Sequence, residues 1–236
     1  MRGAKAPRVT ADIIMSLALA PGISFVEQDG ERVFLDLYRD RYFALGKPAD
    51  AAFTALTRGK PDEDERARLL KLVEANVLID APFGDNPRPC RQPAMVLSAL
   101  DAADKTAPSP WQVVVASWSV VRAKRRLKTR PLAFNVERLR QLKTWMAADV
   151  RRARPGEREA IAAAFGAAGR LVATLDECLP LSFAMARLCL KARLDAQMSI
   201  GVKLRPFEAH AWVSVEGVVV SDRLDNVRPF ATILLI

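Results

Sequence analysis

The sequence predicts an α+β protein in which strands, then helices, then strands again follow one another along the chain. Three observations carry that expectation. Two β-favouring runs, Ile23 to Glu27 and Arg32 to Leu37, flank Asp29-Gly30, a pair that supplies the positive φ a tight hairpin turn needs. From Trp111 to Ala173 the chain is rich in alanine, leucine, arginine and lysine, with helix breakers mostly at the seams. Beyond that, Ala196, Met198, Ile200 and Val202 alternate with Gln197, Ser199, Gly201 and Lys203, the period of a half-buried strand.

Taken in order, Arg2, Lys5 and Arg8 precede a short apolar run, Ile13 to Ala20, which imitates an export signal. Asp12 interrupts its approach and Pro21 follows its end, so the run reads as a helix. After the predicted hairpin comes a third strand, Arg41 to Leu45. Pro48 then opens a helix carrying Ala51, Ala52, Phe53, Ala55 and Leu56, and Asp62 caps another in which Leu69, Leu70, Leu72 and Val73 recur at helical spacing. Three strands followed by small helices describe a winged-helix-like module over residues 1–82.

Six of the fifteen prolines fall between positions 82 and 110, each removing a backbone donor and discouraging helix just before it. That marks residues 83–93 as a linker and 94–236 as a second region. Its middle is helical, over Trp111 to Lys128, Asn135 to Arg154 and Pro155 to Ala173. The segment from Arg122 to Arg130 holds six basic residues. Cations suit a helix C-terminus, which gives the run an ordinary explanation; a docking surface for protein, anionic lipid or nucleic acid is the alternative.

Bulk properties narrow the function. The 236 residues are 50% apolar, ample for a packed core, and 36 basic against 27 acidic residues leave a charge of +9 that is compatible with several acidic partners. Three cysteines, Cys90, Cys178 and Cys189, in no C-x-x-C spacing argue against disulfide staples and against a structural zinc, and fit a reducing cytoplasm. No metal is expected. The most apolar inner stretch, Trp111 to Val121, falls short of the roughly 20 residues a membrane span takes.

The residues that could carry chemistry lie near the end. Asp176 can cap a helix, Pro180 suits its first turn, and Leu181, Met185, Leu188 and Ala192 line one face, which sets Cys178 at or beside a helix N-terminus. The positive end of a helix favours the thiolate, the nucleophilic form. His210, the one histidine of the chain, begins a strand; Glu216-Gly217 turns the chain and Val218 to Val220 leads back to Asp222, which ends the neighbouring strand. Antiparallel pairing brings His210 and Asp222 opposite each other. A thiol, a histidine to take its proton and a carboxylate to orient that histidine are the parts of a cysteine nucleophile of papain-like type. Singly, each has a structural reading: a core cysteine, a satisfied histidine, a turn aspartate. Cys189 sits about 16 Å further along the same helix, too far to share the site.

Several segments are similar to a known family. C-L-P-L-S-F-A-M-A from Cys178, I-G-V from Ile200, P-F-E-A-H-A-W-V from Pro206 and the closing S-D at Ser221-Asp222 resemble the transglutaminase-like B protein of lasso peptide biosynthesis. G-I-S-F from Gly22, D-G, F-L-D-L and D-R-Y-F-A-L from Asp40 resemble the precursor-recognition element that precedes the protease in the fused form of that family. The chain departs from the commoner family pattern at Leu181, where a basic residue is usual. The resemblance implies a transglutaminase-like C-terminal domain with Cys178, His210 and Asp222 as catalytic residues, cutting the leader from a ribosomally made precursor. It implies that the leader binds as an added strand on Arg41, Tyr42, Phe43, Ala44 and Leu45, with Leu69, Leu72 and Val73 as the other wall. It implies no cofactor for this chain; ATP use belongs to a partner lasso cyclase, which closes the ring afterwards. The expected partners are the leader and the cyclase, with a membrane-associated maturation complex left open and no specific nucleic acid. The expected location is cytoplasmic, or peripheral at the inner membrane.

Two other readings stand beside it. A true transglutaminase would use the same residues to pass the acyl group to an amine, and a non-enzymatic winged-helix nucleic-acid binder would account for the +9 charge while leaving the Cys, His, Asp order unexplained.

Overall fold

The computed structural model of the protein describes residues 16–59, 61–81, 86–103, 107–172 and 178–236. In chain order its elements are β1 (Leu17–Leu19), β2 (Ile23–Gln28), β3 (Glu31–Asp36), β4 (Arg41–Phe43), α1 (Lys47–Thr57), α2 (Glu63–Glu74), β5 (Leu78–Asp80), β6 (Leu97–Ser98) and α3 (Leu100–Ala103). There follow α4 (Pro110–Thr129), α5 (Leu132–Met146), a 3-10 turn at Ala147–Asp149, α6 (Glu157–Val172), α7 (Cys178–Lys191), β7 (Ala196–Leu204), β8 (Phe207–Val215), β9 (Val218–Val219), α8 (Leu224–Val227) and β10 (Ala231–Leu235). The class is α+β, as expected.

The chain divides into two compact units, one of residues 1–21 and 46–88 and one of 22–45 and 89–236. The first holds α1, α2 and the two-stranded sheet β1-β5. Asp62 caps α2 as anticipated: its side chain accepts from the Glu65 N–H at 2.8 Å while Glu65 accepts from the Asp62 N–H at 2.9 Å, a reciprocal capping box. Two expectations need correction. Leu17–Leu19 is a strand, not part of a helix, because Leu17, Ala18 and Leu19 pair antiparallel with Asp80, Ile79 and Leu78; residues 13–15 lie outside the described part. The division also departs from a break at 82–94, since β2, β3 and β4 fall with the C-terminal half.

The reason is the two-sided burial of that small sheet. In β2-β3-β4 the rings of Phe25, Phe34 and Phe43 stack across the three strands with centroids 5.5 and 5.2 Å apart. The alternate residues Val26, Val33 and Leu35 enter the large core of the C-terminal unit, against which β10 also packs. Apolar neighbours without alternation, as in Phe25-Val26 and Val33 to Leu35, are the mark of a strand covered on both faces. The turn between β2 and β3 uses Asp29 at φ 52° and Gly30 at φ 76° as anticipated. The expected third strand is shorter, ending at Phe43. What reads as a linker is tied down after residue 89: the Cys90 N–H donates to the Phe25 carbonyl at 2.8 Å, and the Gln92 side chain accepts from the Thr232 N–H at 2.7 Å.

The second unit is built on a five-stranded sheet ordered β10-β7-β8-β9-β6, antiparallel except for the β6–β9 pair. β7 and β8 pair over their whole length, Ala196 with Val215 through Leu204 with Phe207. α7 packs on β7 and β8, and α4, α5 and α6 pack around α7. Between helices and sheet lie Met185, Cys189, Leu194, Met198, Ile200, Ala211 and Val213, all buried. The opposite sheet face holds a smaller cluster of Trp212, Val219, Leu224, Val227 and Phe230. α5 ends at Met146, earlier than the Arg154 expected, because the next residues are held elsewhere: the Arg151 N–H donates to the Arg193 carbonyl at 2.8 Å, and its guanidinium grips Glu157 at 2.8 and 2.6 Å. Among the described residues no helix is long and apolar enough to cross a membrane.

Candidate active site

The site forms where the first residue of α7, as described, meets an unpaired edge of β8. β9 is only two residues long and covers β8 at Ser214 and Val215. Past it, the Val213 N–H still points to that side, donating to Ser221 Oγ at 2.8 Å. Alternate N–H groups of a strand point the same way, so Ala211 offers its own towards the open edge, and Cys178 fills it: the sulfur accepts from the N–H groups of Ala211 and Leu179. A buried hydroxyl fixes this meeting, with Ser182 Oγ, one turn along α7, donating to the Ala211 carbonyl at 2.9 Å.

His210 precedes Ala211 and hydrogen-bonds the Cys178 side chain. Its Nε2 lies 2.7 Å from Asp222 Oδ2, which leaves Nδ1 as the nitrogen on the thiol side. Asp222 is held in turn: Oδ1 accepts from the Arg223 N–H and from Asn226 Nδ2, each at 2.7 Å, and its carbonyl accepts from Ser98 Oγ at 2.7 Å. The imidazole stands among aromatic rings, Phe230 at 5.3 Å and Trp212 at 6.2 Å between centroids. Gly201, opposite His210 in the ladder, makes room for this packing, because a Cβ there would lie 2.6 Å from the Trp212 ring.

Electrostatics follow from these contacts. Burial of Cys178 opposes ionisation, but the hydrogen bond from His210, the two backbone N–H groups and the imidazolium charge outweigh it and hold the thiol below its usual range. Burial likewise opposes a charge on His210, yet the bonds to Asp222 and Cys178 push it up to about 9. Asp222 stays below the ordinary carboxylate range, burial being outweighed by His210, Asn226 and Arg223. Both shifts run in the direction that favours the charged pair of thiolate and imidazolium.

Cys178, His210 and Asp222 are brought together as the sequence suggested; Asp176, the expected cap, lies outside the described residues. The strand segment Arg41 to Leu45 divides in character. Arg41, Tyr42 and Phe43 form β4, an edge strand, Ala44 is exposed and Leu45 half-buried. Leu69 and Leu72 are buried on α2, which packs against α1 and β5, so Val73 alone of those three keeps appreciable surface. α2 and β4 belong to different compact units.

Sequence reasoning missed several members. Ser98, Ser182, Gly201, Trp212 and Asn226 support the site without having been given a role; Ser182, Gly201 and Trp212 lie inside the motifs quoted above, Asn226 left a trace in its four-residue spacing from Asp222, and Ser98 left none. Tyr42 is another. Its ring meets Phe207 edge-on at 5.4 Å, and its hydroxyl is pushed up to about 12 by burial and by the charges of Asp40 and Cys178, so it stands neutral within electrostatic reach of the sulfur.

Comparison with known proteins fits this geometry. Residues 117–235, half of the chain, match the family described as the Transglutaminase-like superfamily, a span that contains all three residues of the site. The Microcin J25-processing protein McjB of Escherichia coli is 41% identical over 47 residues, 20% of this chain. The match spans 23% of that protein's length. No solved structure gives a significant match.

Proposed function

The chain belongs to the Transglutaminase-like superfamily, and from that premise we propose that it is a cysteine peptidase that removes the leader of a lasso peptide precursor before a partner cyclase closes the ring. The observation that carries the reading is the contact of the Cys178 thiol with His210, itself bonded to Asp222 at 2.7 Å. The name of the partial relative, a processing protein of microcin J25, supports the substrate class.

The chemistry follows from the ion pair. The Cys178 thiolate attacks the carbonyl carbon of the last leader residue, and the peptide C–N bond breaks as the His210 imidazolium gives its proton to the departing amine. Neutral His210 then takes a proton from water as that water attacks the thioester; the C–S bond breaks, the leader leaves as a carboxylic acid that ionises in solution, and the thiolate and imidazolium are restored. The N–H groups of Ala211 and Leu179, already directed at the sulfur, lie where negative charge begins and ends. The leader is held as an added strand on the free edge of β4, which offers backbone groups at Arg41, Tyr42 and Phe43. Tyr42 links that edge to the thiol, since the same unit carries both.

The test is to incubate the protein with the precursor peptide encoded beside its gene in heavy-oxygen water and read product masses. Release of a leader bearing one heavy oxygen at its C-terminus is the expected result, absent in Cys178→Ala. A leader joined to an added amine, with no hydrolysis, would instead establish acyl transfer by the same residues. An intact precursor bound by the protein but never cut, in the presence of the cyclase, would defeat the proposal.

A further inference from the structure

The face of α7 turned away from the sheet lines a recess that the chemistry at Cys178 does not use. α4, α5 and α7 enclose a groove of about 740 Å³. Its walls are apolar, and α4 supplies them at helical spacing through Trp111, Val114 and Trp118. Trp111 is 72% exposed and Trp118 62%, unusual for the largest apolar side chain. Facing them from α7 are Phe183 and Leu188.

Around these walls stand Arg122 and Arg126 of α4, Arg138 of α5 and Arg187 of α7, with Lys191 beyond. Among the described residues the lining contains no aspartate or glutamate. Among the described residues none of the four arginines has a carboxylate partner; Arg122 rests on the Trp118 ring at 5.3 Å and Arg138 contacts Gln141 at 3.4 Å. Arg187 is half-buried, and burial first, then the charges of Arg126, Arg122 and Arg138, hold it below the usual guanidinium range. Like charges gathered over an apolar floor with no counter-ion repel one another, and an incoming anion relieves them.

We propose that this groove receives an acidic amphipathic helix of a partner protein, its apolar stripe on the tryptophans and its carboxylates on the arginines. The shape selects a helix. From Trp111 to Leu127 the α4 wall runs about 24 Å at 1.5 Å per residue, the length of a helix of four to five turns. A bilayer surface is flat and is met by projecting side chains, whereas these tryptophans line a recess. The chain's own first residues are a poor occupant, because Arg2, Lys5 and Arg8 outnumber Asp12. α2 of a second copy offers acids at Glu63, Asp64 and Glu65, but its leucines at 69 and 72 are already buried.

The experiment uses the full chain and a dye-labelled synthetic helix of sixteen residues, leucine on one face and glutamate on the other, with anisotropy as the readout. Binding is expected, with R126E/R187E weakening it at least about tenfold and the equal charge change R66E/R68E, on exposed α2 positions, leaving it within about twofold. Leader cleavage by R126E/R187E stays at the level of the unaltered protein, which separates this site from the thiol. No binding, equal binding of a lysine-for-glutamate peptide, or equal loss in R66E/R68E overturns the proposal. So does binding to phosphatidylglycerol vesicles that shows the same arginine dependence and displaces the peptide, since the surface is then one for lipid. If circular dichroism shows R126E/R187E unfolded, Trp118→Ala at an exposed position decides by the same tenfold criterion.

Discussion

Two cysteines share α7, about 16 Å apart along its axis, and their surroundings give them opposite chemistry. Cys178 meets a histidine and two backbone N–H groups and is held below the ordinary thiol range. Cys189 is fully buried among apolar side chains, and burial, with the charge of Glu157, pushes it up to about 12. One thiol is readied as a nucleophile and the other acts as a small hydrophobe. Helix membership alone therefore says nothing about reactivity; what decides is whether the neighbouring strand offers unpaired donors or a closed ladder.

The sharpest way to break this comparison is to remove each thiol. Cys178→Ala and His210→Ala should each lower leader cleavage at least about a thousandfold, because nucleophile and base act as one unit, while Cys189→Ala should leave cleavage near normal. Peptide mass spectrometry against time measures both; substantial cleavage by Cys178→Ala removes the distinction. Next in size is Asp222→Asn, expected to be less damaging than loss of the thiol by roughly a hundredfold. That variant also shifts the pH profile. Imidazolium must be present to protonate the leaving amine, so activity should fall as pH rises through about 9, and on the acid side as Cys178 is protonated. Asp222 raises the His210 pKa, so its loss should move the alkaline limb to lower pH. An unmoved limb would mean that another group sets it.

Alkylation sharpens the same contrast without substrate. At pH 7.5 iodoacetamide should modify Cys178 at least about tenfold faster than Cys189, read by digestion and mass spectrometry. Cys90 should lag as well, since it is half-buried and burial raises its pKa; the structure does not give it the exposure expected of a linker. Smaller effects concern packing. Gly201→Ala drives a methyl to 2.6 Å from the Trp212 ring and should cost about 1–3 kcal/mol by denaturant unfolding, with cleavage reduced as the ring under His210 shifts. Cys189→Ala, which deletes one buried sulfur, should cost about 1 kcal/mol.

Much of the site was legible because its parts lie on local patterns. The strand alternation around His210, the Glu216-Gly217 turn at φ 51° and 79°, and the helical stripe after Cys178 each follow from side-chain period and backbone sterics. Contacts made at a distance were not legible. Ser98 reaches the Asp222 carbonyl across 124 positions, and Gly201 matters only because Trp212 happens to cross it. β1 escaped for the same reason, since its three residues sit inside the apolar run Ile13 to Ala20 with no period of their own and become a strand through β5. The run Val33 to Leu35 hinted that β3 is covered on both faces, but the allegiance of β2-β3-β4 depended on β10, a strand with no distinctive local signal.

His210 and Asp222 are joined across a single hairpin, twelve positions apart, whereas the sulfur comes from a separate helix whose docking is marked by the Ser182 bond to Ala211. Contacts close in sequence form early in folding and distant ones late. A chain in which the hairpin has formed but α7 has not yet seated on the sheet would hold its His210–Asp222 pair while its thiol is still ordinary. The nucleophile is in this sense a reporter of the native state: with α7 undocked, the thiol loses the His210 and Ala211 contacts that lower its pKa.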